Sequence, residues 1–336
     1  MVYTLLLWRH PNIHYRRAVV RLSRCELLSM LKSLSIEASP VEEAIGSADL
    51  LTFESRPLTD RELSFLAGHS CAVLISEKNG AMLHPLSAQS GDLFPEDLPE
   101  ILKYKGKTNP SFTRMMLNTA LSLSSFAHES NVTVLDPLSG RGTTLFCALC
   151  MGANAVGLET DHRDLKETSD YFSRYLKTAR IKFSCQSFSS TVGKMGIPGK
   201  RFTFIPPGNS AVTGESRTMT LYEGDTSLCG QLLRKHPVHL LAADLPYGIQ
   251  HAPQNGRKPE TFSAFLNRVL PSWKLSLRPG AAIALSFNTL TLKSDDVRAA
   301  LQDAGFSVCE APEFTVLAHQ VEQAVIRDVV FAHNPL

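Results

Sequence analysis

Val132-Thr133-Val134-Leu135-Asp136-Pro137-Leu138-Ser139-Gly140-Arg141-Gly142-Thr143-Thr144 is the stretch that decides the fold. Val132 to Asp136 reads as a strand ending on an acid, and Thr143 to Met151 as an apolar helix. Between them, Gly140 and Gly142 let the backbone approach a ligand closely, and the helix start offers free N–H groups to a polar or anionic group. The third glycine of G-x-G-x-x-G is missing, because position 145 is Leu.

Working outward, a strand at Ala153 to Glu159 and a helix from Asp161 to Thr178 continue the rhythm. Further strands are expected at Thr218 to Glu223, Val238 to Ala243, Ala281 to Phe287 and Val325 to Phe331, with helices at Phe112 to Leu123, 261–277 and 294–304. Strands alternating with helices over short links predict an α/β fold, a mostly parallel sheet covered on both faces. The rhythm breaks at 181–218, where Gly193, Gly196, Pro198, Gly199, Pro206, Pro207, Gly208 and Gly214 cluster. An insertion is expected there, with a hairpin through Arg201 to Ile205.

The first 85 residues read as a small α/β domain, with strands at Thr4 to Trp8 and Ala72 to Ser76 and a helix at Tyr15 to Leu34. Gly91, Pro95 and Pro99 mark residues 86–102 as a linker to the second domain, 103–336.

With 336 residues, 43% of them hydrophobic and 20% charged, the chain can bury a sizeable core, and disorder is excluded. The net charge of +2 is unevenly spread: residues 1–100 hold nine Lys/Arg against thirteen Asp/Glu, about −4, so the remainder carries about +6. Polyanions should therefore meet mainly the later part. Arg16, Arg17, Arg21 and Arg24 on the first helix are read as a solvated face paired with local acids rather than an RNA stripe. The opening apolar run, Thr4 to Trp8, is too short for a signal peptide and no stretch is long enough to span a membrane, so a cytoplasmic protein is expected. Seven scattered cysteines suit reduced thiols. Cys147 and Cys150 have C-x-x-C spacing but lie in an apolar helix, where burial is expected, and no second pair completes a zinc site; no metal is expected.

The residues that carry chemistry stand at strand ends. Asp244-Leu245-Pro246-Tyr247 closes the run Val238 to Ala243 and offers acceptors, a stiffened turn and an aromatic ring, which is what a planar exocyclic amine needs. Glu159 ends a strand twenty-three residues beyond Asp136, where an acid meets ribose hydroxyls, and Asp161 competes for that role. Asp225 follows the next strand, either as a helix cap or as a ligand group.

Asp136-Pro-x-x-Gly-x-Gly-Thr143 is similar to motif I of S-adenosylmethionine-dependent methyltransferases, and Asp244 to Tyr247 resembles the D/N-P-P-Y/F/W motif of the amino-methyltransferases. With the lead-in Lys105-Gly-Lys-Thr-Asn-Pro110 and Phe112 to Asn118, residues 103–336 resemble the tRNA guanine-N2 methyltransferase branch of the RNA methylase family, which often carries a THUMP domain. The chain departs from that pattern at Leu138, Ser139, Arg141 and Leu245, and its first hundred residues are short for a complete THUMP region, which leaves a degenerate RNA-binding module. The resemblance implies a Rossmann-like class I domain with a seven-stranded sheet. It further implies S-adenosylmethionine as cofactor, held by Thr108, Phe112, Asp136, Pro137, Ser139, Gly140, Gly142, Thr143, Glu159, Asp225 and Asp244. Catalysis would rest on Asp244, Leu245, Pro246 and Tyr247, and phosphate contacts on Lys105, Lys107, Arg257 and Lys258. RNA, chiefly tRNA, is the implied partner. DNA adenine-N6 or cytosine-N4 methylation, and a silent methyltransferase fold that only binds RNA or a partner, are the alternatives.

Overall fold

The computed structural model describes the chain except residues 11–12, 96, 103, 105–106, 207–214, 236, 247–253, 256–257 and 323, and the side chains of 14, 254–255 and 258–259. Two of the sequence expectations, for Tyr247 and for the Lys105 and Arg257 contacts, lie outside the described residues, and so does the Lys258 side chain.

The N-terminal part comprises β1 (Val2–Leu7), α1 (Ile13–Ser33), β2 (Val41–Ile45), β3 (Ala48–Glu54), α2 (Asp60–Ala67), β4 (Ala72–Asn79) and β5 (Met82–Pro85). Its strands form a five-stranded antiparallel sheet in the order β2-β3-β1-β4-β5. Residues 86–102 carry the short helix α3 (Asp97–Ile101) and bury Phe94 and Leu98 in the core.

The larger part runs through α4 (Pro110–Leu123), β6 (Thr133–Asp136), α5 (Thr143–Cys150), β7 (Asn154–Glu159), α6 (His162–Thr178), β8 (Phe183–Val192), β9 (Met195–Phe204) and β10 (Arg217–Glu223). It continues with α7 (Cys229–Leu232), β11 (Val238–Asp244), a two-residue hairpin of β12 (Gln254–Asn255) and β13 (Lys258–Pro259), and α8 (Phe262–Leu275). Last come β14 (Leu277–Asn288), α9 (Ser294–Asp303), β15 (Ser307–Val308), β16 (His319–Glu322) and β17 (Val325–His333).

The expected seven-stranded, mostly parallel sheet is instead a mixed sheet of ten strands, in the order β15-β17-β14-β11-β6-β7-β10-β9-β8 with β16 paired to β17. Its centre, β10, β7, β6, β11 and β14, is parallel; every pairing outside that centre is antiparallel. The insertion causes part of the difference. Its hairpin spans Phe183 to Phe204, much longer than the 201–205 expected, and β9 pairs with β10 and so extends the sheet. Gly193, Gly196 and Gly199, which mimicked a loop, sit within that hairpin: Gly193 at its turn has φ +60°, and Gly199 lies where a Cβ would come 2.5 Å from the Phe188 ring; Gly208 and Gly214 lie outside the described residues.

β11 is apolar on both faces because both are covered. Leu240 and Ala242 join one apolar layer, and Leu241 and Ala243 the other. The helix α4 lies between the main sheet and α1, which is why Phe112, Met115 and Leu117 are fully buried; each such side chain stabilises by roughly 1.5–3 kcal/mol. Asn109 starts α4 by accepting from the Ser111 N–H (2.9 Å), and Pro110 occupies its first turn. Buried Glu26 of α1 accepts from Asn118 Nδ2 of α4 (2.6 Å) and from Ser70 N (2.7 Å), which ties the N-terminal sheet to α4. Cys147 and Cys150 are buried thiols in α5, as their apolar setting predicts.

Candidate functional site

The strand order reverses between β6 and β11. From β6 the chain steps outward through β7 to β10; from β11 it steps the other way to β14. A ligand in an open α/β sheet lies in the crevice that such a reversal leaves at the carboxyl ends of the strands. Asp136 ends β6 and Asp244 ends the neighbouring β11, so the two acids sit on either side of that crevice.

The glycine loop is shaped by backbone chemistry. Gly140 has φ +46° and Gly142 φ +83°, a region that favours glycine. A Cβ on Gly140 would meet nothing within 4 Å, so the loop presents an open face there. Ser139 bolts the loop to β7, both its N–H (2.9 Å) and its hydroxyl (3.2 Å) donating to the Leu158 carbonyl. Gly142 precedes α5 without a side-chain cap, leaving the first N–H groups of that helix available to a ligand. Pro137 and Ser139 are buried beneath the loop.

Glu159, at the end of β7, turns toward this loop: its Oε2 accepts from the Gly140 N–H (3.0 Å), and its Oε1 from the N–H groups of Thr160 (2.7 Å) and Asp161 (2.8 Å). Asp161 is spent as the cap of α6, accepting from the Arg163 N–H at 2.7 Å. Asp225 follows β10, caps a 3-10 turn through Ser227 N (2.8 Å) and pairs with Arg268 (3.0 Å), yet stays 40% exposed. Arg141 leaves the loop to pair with Asp164 and Glu167 on α6, both at 2.9 Å, and lies 5.1 Å from the centre of the Tyr104 ring. Tyr104 in turn bonds Thr143 at 2.8 Å, forming a cover over the start of α5 that the sequence did not reveal.

Asp136 is the most perturbed acid of the crevice. Burial pushes its carboxyl up to about 7, the charges of Asp244 and Glu159 add to this, and the Thr144 hydroxyl and Leu138 N–H only partly offset it. A crevice with three acids facing one opening suits a ligand that brings positive charge and hydrogen-bond donors.

Asp244 is held by three elements at once. Ser286 of β14 donates to Oδ1, Thr108 before α4 donates to Oδ2, and Arg327 of β17 lies 3.4 Å from Oδ2. Leu245 is buried and its N–H donates to the Ser286 carbonyl (2.8 Å), while Pro246 is half-buried. Phe112 is fully buried with the Arg327 guanidinium 5.2 Å from its ring centre. Lys107 donates to the carbonyls of Pro99 (2.5 Å) and Glu100 (3.2 Å), where it closes the last turn of α3.

Ser286 and Arg327 were given no site role from the sequence because each sits inside an apolar strand. The signal was present: Arg327-Asp328 is a charged pair within Val325 to Phe331, and an ionised group in a buried strand needs a partner.

No family model and no curated protein matches the chain. Among solved structures, TrmN from Thermus thermophilus is similar at 16% identity over 88% of this chain, with a TM-score of 0.37, and this chain spans 59% of that one. A methyltransferase from Pyrococcus furiosus is similar at 14% identity over 70% of this chain and 89% of its own, with a TM-score of 0.41. Precorrin-6y C5,15-methyltransferase from Geobacter metallireducens is similar at 13% identity over 69% and 92%, with a TM-score of 0.39. At this distance the substrates of these proteins do not transfer to the present chain.

Proposed function

We propose that this chain is an S-adenosylmethionine-dependent N-methyltransferase acting on an exocyclic amino group of a nucleic-acid base, with guanine N2 of tRNA as the acceptor. The observation that carries this reading is the pairing of Asp136, beside the glycine loop, with Asp244 on the adjacent strand across the switch point. One acid faces a donor site and the other an acceptor site, one strand apart. The motif order along the chain supports the same assignment.

The donor supplies a sulfonium methyl group together with a cationic amino-acid end, which fits a crevice whose buried acid is surrounded by the further charges of Asp244 and Glu159. Asp136, Gly140 and Gly142 would bind it, Glu159 would accept from its ribose hydroxyls and Asp225 from its adenine amine. Glu159 already faces the loop, and Asp225 keeps enough exposure to accept a further bond.

A base amine is a poor nucleophile because its lone pair is delocalised into the ring. The Asp244 carboxylate and the Leu245 carbonyl would accept its two hydrogens, turn the lone pair toward the methyl group and favour the positive charge that develops. Alignment supplies most of the acceleration, and Tyr247 would stack on a base that is single-stranded or flipped out.

Incubation with methyl-labelled cofactor and separate pools of tRNA, ribosomal RNA and DNA, followed by nucleoside identification, tests the reading. Label in N2-methylguanosine of tRNA is expected. Label confined to DNA overturns the acceptor, and cofactor binding without transfer to any pool overturns the activity. Replacing Asp244 by Ala should abolish transfer with cofactor affinity nearly intact, whereas Glu159→Gln should mainly weaken cofactor binding in calorimetry.

A further inference from the structure

Residues 171–206 hold seven Lys/Arg and no acid. That exceeds the whole surplus of about +6 carried beyond residue 100, so the rest of the later part is about −1. The positive charge of the chain is thus gathered on the end of α6 and the β8–β9 hairpin. Among the described residues none of the seven forms an ion pair, and Asp170, the last acid before the run, pairs with Lys166 (3.0 Å).

Sheet order spreads this charge into a strip. β10 runs parallel to β7, so its carboxyl end lies at the crevice. β9 runs the other way, with Phe204 beside Arg217 and Gly199 beside Tyr222. Arg174, Lys177, Arg180 and Lys182 lead into the root of the hairpin at the far end, Lys200 and Arg201 lie along it, and Lys194 is at its turn. Pairing with β10 stops at Gly199, so the turn continues past Tyr222 by about 13 Å, on the crevice side. A Cβ on Gly224 would come 3.4 Å from Ile197 of β9, and Gly224 directly precedes Asp225. The hairpin tip stands over that end of the crevice.

β8 is the edge of the sheet, and its ten residues make an open border about 33 Å long. Ser187, Ser189 and Thr191 are exposed and share one face with Lys200, which pairs with Ser187. Lys200 donates to the Ser169 hydroxyl (3.3 Å) and Arg201 to the Thr220 hydroxyl (3.2 Å), contacts that bring no negative charge. Hydroxyl groups interleaved with Lys and Arg are the side chains that meet phosphate oxygens.

We infer that this strip binds the sugar-phosphate backbone of a folded part of the substrate RNA, away from the target base. β9 lies four strands from β11, about 19 Å, and the strip runs about 33 Å along the edge. The nucleotides next to a base held at Asp244 do not span that distance, whereas a folded RNA does. The inference rests on the nucleic-acid acceptor proposed above.

Cys185 is the exposed cysteine of the chain and lies on the same face as Ser187, so a thiol-reactive fluorophore there reports on the strip. Titration of the labelled full chain with tRNA should shift its emission. Replacing the exposed Lys177, Lys182 and Lys194 together by Gln should raise the KM for tRNA about tenfold and leave kcat and cofactor affinity unchanged. The slope of log affinity against log salt should fall by about 2.5. Lys235→Gln, exposed near the amino-terminal end of β11, should change none of these. Methylated tRNA with unshifted emission and an unaltered KM in the triple variant overturns the strip and leaves the enzymatic reading standing. A shifted emission and the lowered salt slope with tRNA that is never methylated do the reverse. Tighter binding of duplex DNA of similar length overturns RNA as the occupant.

Discussion

Arg327 of β17 lies 3.4 Å from the Asp244 carboxylate while its guanidinium stands 5.2 Å from the centre of the Phe112 ring. The acid at the end of one parallel strand is thus anchored by a cation two strands away, on an antiparallel one. With the Arg327 side chain 4% exposed and that of Asp244 25% exposed, this pair is largely out of water. Removing one side chain breaks a pair that is largely out of water, which costs more than the pair contributes.

Asp244→Ala should therefore destabilise the fold by about 3 kcal/mol in urea unfolding, besides abolishing transfer. Adding Arg327→Met should recover a large part of that loss. Strictly additive losses in the double variant would show that the two side chains are not coupled.

Gly157 illustrates a different constraint. A Cβ at this position in β7 would stand 2.7 Å from Leu145 Cδ1 and 2.8 Å from Ser139 Oγ, the hydroxyl that fastens the glycine loop to Leu158. Gly157→Ala should cost about 1–3 kcal/mol as overpacking and, by shifting Ser139, lower cofactor affinity roughly tenfold. Gly140→Ala meets open space within the fold, so its cost in stability is only the strain of a positive φ, about 1–2 kcal/mol, while its Cβ would stand on the face the cofactor approaches. Thermal unfolding and calorimetry on both variants check this; Gly157→Ala with wild-type stability and affinity would refute the account for Gly157.

How much of this was legible depended on whether a residue's role was local. The strand–loop–helix unit at 132–151 and several of the elements after it follow from periodicity, and Asp225, read as a cap or a ligand group, does cap the turn after β10, whereas Asp161, read as a rival to Glu159, is a helix cap. The donors on Asp244 were not legible, because Thr108, Ser286 and Arg327 lie up to 136 residues away and meet it only through sheet order. The long hairpin at Phe183 to Phe204 was hidden by glycine and proline, which usually mark loops but here lie within paired strands. In the N-terminal part, β2, β3, α2 and β5 were missed, as exposed edge strands such as β2 have no apolar alternation to read.

Asp136 should make both stability and ligand binding depend on pH. In the unfolded chain its carboxyl titrates at its ordinary value of 3.8; in the fold it titrates near 7, so between these values the folded state holds a proton that the unfolded state has released. Stability therefore falls as pH rises through this window and is lowest above 7. A difference of roughly three units corresponds to about 4 kcal/mol, and the side chain is too well buried for water to screen it away. Asp136→Asn has no such titration and can still accept from Thr144 and Leu138. Relative to the wild type it should gain stability steadily from pH 4 to 7 and no further above it. A cationic ligand favours the ionised acid, so affinity for S-adenosylmethionine in the wild type should rise with pH through 7, with proton release that calorimetry in buffers of different ionisation enthalpy detects. Asp136→Asn should bind more weakly and with a flat pH profile. Parallel pH profiles for the two proteins would place the titrating group elsewhere.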